Sequence, residues 1–194
     1  GQPAARWGDT MKTETGRPPH VSDDMFIDTS TNLGGVEIHD SFQPGRPLEG
    51  EWGAGDGSFF AKYAASHREH NFLVVERLLG RLRKIDRKGR RTGLDNLCLV
   101  RIEAAYFLEF LFPAGCAKAV HVYFPDPWPK RKHRRNRLVN EDFTAIARTA
   151  LTPDGEIHLR TDDADYFAQM TRVFGDNPHF TKVETPEPLA AVVT

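Results

Sequence analysis

Short apolar runs alternate along the chain with longer stretches in which apolar residues return every three or four positions. The runs fall at 71–76, 97–102 and 118–124, and, with polar residues interleaved, at 156–161. Runs of this length bounded by turn residues predict buried strands. A further strand is predicted over 48–53, although Gly50 weakens it. Helical spacing marks 58–65, 77–91, 105–112, 139–151 and 164–174. In 77–91, for example, Leu78, Leu79, Leu82 and Ile85 share one side. Thr152-Pro-Asp-Gly155 reads as a helix stop, and 180–183 as the start of one more strand. Strand followed by helix, five times over, predicts an α/β fold: a Rossmann-like doubly wound, mostly parallel sheet with helices on both faces. Residues 1–46 have no sustained period and predict an extended, loop-rich N-terminal arm. The folded domain is then 47–194.

Composition narrows the class. The length suits one domain with a full core. No apolar run approaches a transmembrane helix, and no charged segment followed by an apolar one opens the sequence, so neither a membrane span nor a signal peptide is expected. Cys98 and Cys116 have no disulfide or metal-ligand spacing, which predicts a reducing, cytoplasmic setting. The 26 Lys and Arg residues nearly balance the 27 Asp and Glu, for a net charge of −1. Their distribution is uneven. Cations concentrate at 77–91 and 130–137, and a binding partner meets the local patch and not the total.

Candidate chemistry sits where strands end. Gly53-Ala-Gly-Asp-Gly57 joins the first predicted strand to its helix, as in the nucleotide-binding opening of a doubly wound fold. Ser58 stands where a dinucleotide site has its third glycine, which disfavours a pyrophosphate cradle. Glu51, two residues before Gly53, suits a cationic group such as the ammonium of a methionine-like cofactor. Glu76 ends the second strand about twenty residues after the glycines, the place of a ribose-binding carboxylate; that separation favours the ribose role over a cap for the next helix. Glu103, at the end of the third, is placed to accept an adenine amino proton or to cap the next helix. The fourth strand runs into Phe124-Pro-Asp-Pro-Trp-Pro-Lys130 and then a basic tail. Alternate prolines must end the strand there. They leave Asp126 and Trp128 at its mouth beside Lys130, Arg134, Arg135 and Arg137: a base pocket next to a phosphate track. In 77–91, Arg77, Arg81, Lys84, Lys88 and Arg91 form a basic stripe, either a solvated face or a second phosphate contact, which only its position relative to 130–137 decides.

These blocks, together with Leu159-Arg-Thr-Asp162 and Tyr166, resemble the class I, S-adenosylmethionine-dependent tRNA (guanine-N7)-methyltransferases over about residue 48 to the end. The Pro-Asp-Pro-Trp-Pro-Lys block is highly specific to that family; the glycine block is shared with many methyltransferases. The resemblance implies transfer of a methyl group from S-adenosylmethionine to N7 of a variable-loop guanosine in tRNA, by a monomer or small homo-oligomer. It implies cofactor contacts at Glu51, Gly53, Gly55, Gly57, Glu76, Glu103 and Asp126, with Asp126 also the catalytic candidate. On the substrate side it implies Lys130, Thr161, Asp162, Trp128 and the basic tail of Arg134, Arg135 and Arg137. The chain departs from the family at Asn136, where Arg is usual, and at Glu103, where Asp is usual. The Thr-x-Phe-Glu substrate motif is absent; Thr194 is a candidate for its first residue, an arrangement in which the domain lacks its C-terminal end.

Three rival readings stay open. A methyltransferase acting on another nucleic-acid base is disfavoured by the order Pro-Asp-Pro, where amino-group enzymes have Asp-Pro-Pro. A nicotinamide-dependent oxidoreductase is disfavoured by the missing third glycine. A non-catalytic RNA-binding protein of the same fold is disfavoured by the intact acid at each cofactor position.

Overall fold

The computed structural model describes residues 26–27, 42–55, 57–186 and Leu189. Its elements in order are β1 (Phe26–Ile27), β2 (Leu48–Trp52), α1 (Ser58–Ser66), β3 (Asn71–Val75), α2 (Leu79–Arg91), β4 (Leu97–Val100), α3 (Ala104–Tyr106), β5 (Ala117–Tyr123), α4 (Glu141–Ala150), β6 (Leu151–Arg160) and α5 (Ala164–Gly175). The strands form one sheet in the order β1-β4-β3-β2-β5-β6, and every pairing is parallel. The chain therefore builds outward from β2 to β3 and β4, then returns to the other side of β2 for β5 and β6. That reversal opens a crevice at the carboxyl ends of β2 and β5, where doubly wound sheets bind ligands.

Strand alternation divides the core between two faces. Leu73 and Val75 of β3 join Phe107, Phe143, Ala147, Tyr166 and Met170 on one face. Phe72 and Val74 join Phe60, Ala64, Leu82 and Ile85 on the other. So α3, α4 and α5 cover the first face, and α1 and α2 the second. Both free cysteines are buried, and burial pushes the Cys116 thiol up to about 12.

The first-strand irregularity has a packing cause. Trp52 lies on the same face as Gly50 and is 1% exposed. A Cβ on residue 50 would stand 2.2 Å from the indole ring. The glycine is the space the tryptophan fills, and the ring then meets Phe112 edge-on at 5.5 Å.

Several predicted elements differ in detail. The α2 helix starts at Leu79, because Glu76 takes the Leu78 N–H before helical bonding begins. The stretch predicted as one helix over 105–112 is a single α turn that loosens into a π-helical turn, Phe107–Leu111, closed by Phe112 N donating to the Phe107 carbonyl. The stop at 152–155 lies inside β6 as a bulge: Ala117 aligns with Leu151 but Ala119 with Glu156. Pro153 has no N–H for the ladder, so these residues are extruded and pairing resumes beyond them. Residues 180–183 form no strand; Phe180 instead packs on Phe174 of α5 at 5.0 Å. β1, only two residues long, lies inside the predicted loop-rich arm, where no periodicity marks it.

Gly50→Ala should destabilise the domain by about 1–3 kcal/mol through overpacking, read as a lower urea midpoint at unchanged slope. The cost should largely vanish in a Trp52→Leu background, where the clash is gone. Equal costs in both backgrounds would sink this packing account.

Candidate active site

A cavity of about 1320 Å³ opens in the crevice. The ends of four strands line it, with α1 as a further wall. The β2 end and glycine turn contribute Glu51, Gly53 and Gly55. The β3 end contributes Glu76, Arg77 and Arg81. Ile102 and Glu103 come from the β4 end, and Tyr123, Phe124, Asp126 and Trp128 from β5 and its proline turn. Of the residues proposed from sequence, these seven share the cavity: Glu51, Gly53, Gly55, Glu76, Glu103, Asp126 and Trp128.

The turn that carries the glycines has left-handed backbone at Gly53, Gly55 and Gly57. A Cβ at 53 or 55 would meet open space, whereas one at 57 would stand 2.1 Å from Ile85. The first two keep the cavity wall bare backbone. Gly57 does not line the cavity and lets α1 close on α2.

Glu51 and Glu76 are both buried, 4% and 5% exposed. Glu76 Oε1 accepts the Leu78 N–H at 2.8 Å, and Arg81 approaches Oε2 at 3.5 Å. Glu103 is exposed and caps α3, accepting from Ala105 N at 3.0 Å and Tyr106 N at 2.8 Å. Glu103 thus caps α3 and Glu76 holds the residue that precedes α2, and both line the cavity; backbone donors fix their orientation and leave lone pairs over.

The Pro-Asp-Pro turn is held in strained backbone. Phe124 and Trp128 have φ of 50° and 44°. Bulky residues avoid this region, and each such residue costs about 1–3 kcal/mol unless its surroundings enforce it. The enforcement is visible. Phe124 N donates to the Arg160 carbonyl of β6 at 2.8 Å. Trp128 lies beside the His133 ring at 5.8 Å, on the 3₁₀ turn Arg131–Asn136. Arg137 Nε donates to the Pro127 carbonyl at 2.7 Å.

Arg137 requires a correction. Expected on the phosphate track, it is 2% exposed. Its other nitrogens reach Gln169 at 2.8 Å and Asp165 at 2.7 Å, and its guanidinium lies over the Tyr166 ring at 4.7 Å. Arg137 clamps the proline turn to α5. A planar fork with several matched acceptors does this well, and linear sequence could not separate it from its exposed neighbours. Of these, Arg134 pairs with Asp165 at 3.1 Å with 45% of its side chain exposed, and Lys130 and Arg135 are exposed. At the end of β6, Asp162 is exposed and Thr161 Oγ1 accepts the Asp163 N–H at 3.2 Å; neither lines the cavity. Thr194 lies outside the described residues.

Sequence reasoning passed over the wall supplied by α1. Phe59, Tyr63 and His67 line the cavity at four-residue steps, a helical signal that was present to be read. It also passed over a buried polar chain beneath the cavity. Glu49 accepts from His70 Nδ1 and, at 2.8 Å, from His121 Nε2, whose Nδ1 meets the Tyr123 hydroxyl at 2.8 Å. Burial pushes the Glu49 carboxyl up, but its bonds and attraction to His121 and His70 hold it below the usual range. Burial, with Glu49, Glu69 and Glu156 nearby, pushes Tyr63 up to about 12. His158 stacks on His121 at 4.9 Å; burial first, and then His121, push it down to about 4.

Residues 46–192 match the family described as "Putative methyltransferase". A tRNA (guanine-N(7)-)-methyltransferase of Alkaliphilus metalliredigens is 34% identical over 150 residues, 75% of this chain and 70% of that protein. The chain belongs to the tRNA (guanine-N7)-methyltransferase family. A second member of that family, from Geobacter metallireducens, is 38% identical over 125 residues, 64% of this chain and 59% of that protein. The chain thus spans about three-fifths of the length of several relatives. Among solved structures, precorrin-6y C5,15-methyltransferase from Geobacter metallireducens superposes with a TM-score of 0.54 at 18% identity, covering 68% of this chain and 63% of that one. This likeness shows the fold. No helix among the described residues is long and apolar enough to cross a membrane.

Two outcomes test the site. Arg137→Ala should cost about 2–4 kcal/mol of stability, with Arg137→Lys a poor rescue, while Arg134→Ala should stay within about 0.5 kcal/mol. Comparable losses for the two alanine variants would return Arg137 to the surface set. The lowered His158 means that the unfolded chain takes up its proton first as pH falls. His158 thus contributes its full stability above pH 6.5 and loses it toward pH 4, up to about 3 kcal/mol. His158→Gln should flatten urea stability across that window relative to the parent; an identical slope would refute the shift.

Proposed function

We propose that this protein transfers a methyl group from S-adenosylmethionine to N7 of a guanine in tRNA. The observation that carries this reading is that Asp126 and Trp128 open into the cavity formed by the glycine turn behind Glu51, in a chain of this family. The residues fit the methyl donor. Bare backbone at Gly53 and Gly55 faces open space, the buried Glu51 suits its ammonium, Glu76 its ribose hydroxyls and Glu103 its adenine amino group. The donor supplies a methyl group on a cationic sulfur. Guanine N7 carries a free lone pair, so the new N–C bond forms as the C–S bond breaks, sulfur keeps that electron pair, and no base is required.

The chain's task is then alignment and exclusion of water. Such positioning can supply roughly 7–11 kcal/mol of a barrier in favourable systems. Asp126, held between two strained residues, fixes the donor's charged end or the base. Asp162, just past β6 at the same sheet edge but outside the cavity lining, is assigned to the N1 and N2 edge of a guanine held at the rim, and Trp128 offers a ring to an unstacked base. Lys130, Arg134 and Arg135 carry phosphate contacts. We assign residues 47–194 to the methyltransferase domain and a cytoplasmic location to the protein.

Labelled methyl transfer to bulk tRNA, followed by nuclease digestion, should yield 7-methylguanosine; another methylated base would overturn the substrate. Asp126→Ala should abolish transfer and leave tRNA affinity within about twofold, since an acid makes no favourable phosphate contact. Parallel loss of both would remove Asp126 from its assigned role.

A further inference from the structure

Sequence alone permits two roles for the basic stripe on α2, a solvated face or a phosphate contact, and its place relative to the proline turn separates them. The structure places its start on the cavity itself: Arg77 and Arg81 line the same space as Asp126, Trp128 and Asn136. Lys88 meets Ser58, another residue of that wall. The 13 residues of α2 carry seven Lys or Arg and one acid, Asp86. That acid pairs with Arg90 at 2.9 Å. Arg81, Lys84, Lys88 and Arg91 fall within an arc of about 80° and span about 15 Å of helix. Arg77, Lys84 and Arg91 are exposed, and among the described residues no ion pair or hydrogen bond holds them.

A solvated helix face normally interleaves signs so that neighbours at three and four residues attract. Here they repel, with like charges at 81/84, 84/88 and 88/91, each weakening the helix. A polyanion lying along the stripe would turn this cost into attraction and release counterions. We propose that the α2 stripe is a docking track for the phosphate backbone of the tRNA, running from the cavity mouth at Arg77 and Arg81 along Lys84, Lys88 and Arg91. The proposal rests on the tRNA reading above and extends it to a second strip of surface, separate in sequence from the basic tail. RNA is favoured over an acidic protein because the stripe is continuous with the cavity that the target base must enter.

The test compares two double variants with equal charge change. Lys84→Ala/Arg91→Ala removes two exposed cations of the stripe away from the cavity. Arg83→Ala/Arg90→Ala removes two cations from another side of the same helix. Binding of an unmodified tRNA transcript is titrated across salt concentrations, with S-adenosylmethionine binding measured on the same samples to establish an intact fold. The stripe variant should bind tRNA about tenfold more weakly, and its salt dependence should be shallower by about 1.4–1.8 in log–log slope, the amount for two lost phosphate contacts. The control should change affinity less than twofold. Equal effects of the two variants, or an unmoved slope, overturn the track while leaving the proposed function standing. Failure of the unaltered chain to bind tRNA overturns that function and the track with it.

Discussion

The parallel pairing of β2 with strands on both sides is the constraint on which the site depends. Its backbone groups are bonded to β3 on one edge and β5 on the other. This double pairing fixes the heights at which β2, β3 and β5 end, so Glu51, Glu76 and Asp126, up to 75 residues apart in sequence, meet at one edge. Gly50 and Trp52 protect the arrangement locally. A side chain at 50 and the indole of 52 cannot share one face, and the large ring is the one the core keeps.

The proline turn shows how a strained loop is kept rigid. Two bulky residues in left-handed backbone would relax if nothing opposed them. A β6 carbonyl holds one end and Arg137 the middle, and Arg137 is itself held by three side chains of α5. The acids opposite are treated similarly, since backbone N–H groups orient Glu76 and Glu103. A site whose work is alignment gains from groups that are already in place.

Below this edge the sheet carries unusual polarity. Glu49, His121 and Tyr123 are linked on the sheet face that packs against α1, with His70 and His158 at their sides. Full pairing is what makes such a buried chain tolerable. It also ties folding stability to acid through His158, which stacks on His121.

Periodicity and punctuation alone determined the α/β class, the order of five strands and the positions of most helices, because strand and helix faces impose different repeats on apolar residues. The acids at strand ends and the Pro-Asp-Pro-Trp block were legible for the same reason: each sits where a pattern breaks. Tertiary structure decided what local pattern cannot encode. Arg134 and Arg137 both reach Asp165, but only Arg137 is buried and also finds Gln169, the Pro127 carbonyl and the Tyr166 ring; whether an arginine is a surface cation or a buried clamp depends on partners that packing supplies. Whether a proline turn ends a strand or bulges within it depends on the neighbouring strand, as at Pro153. The α2 stripe acquired meaning only when folding set its first residues on the cavity, since proximity across a sheet edge is a property of the packed chain and of no segment within it.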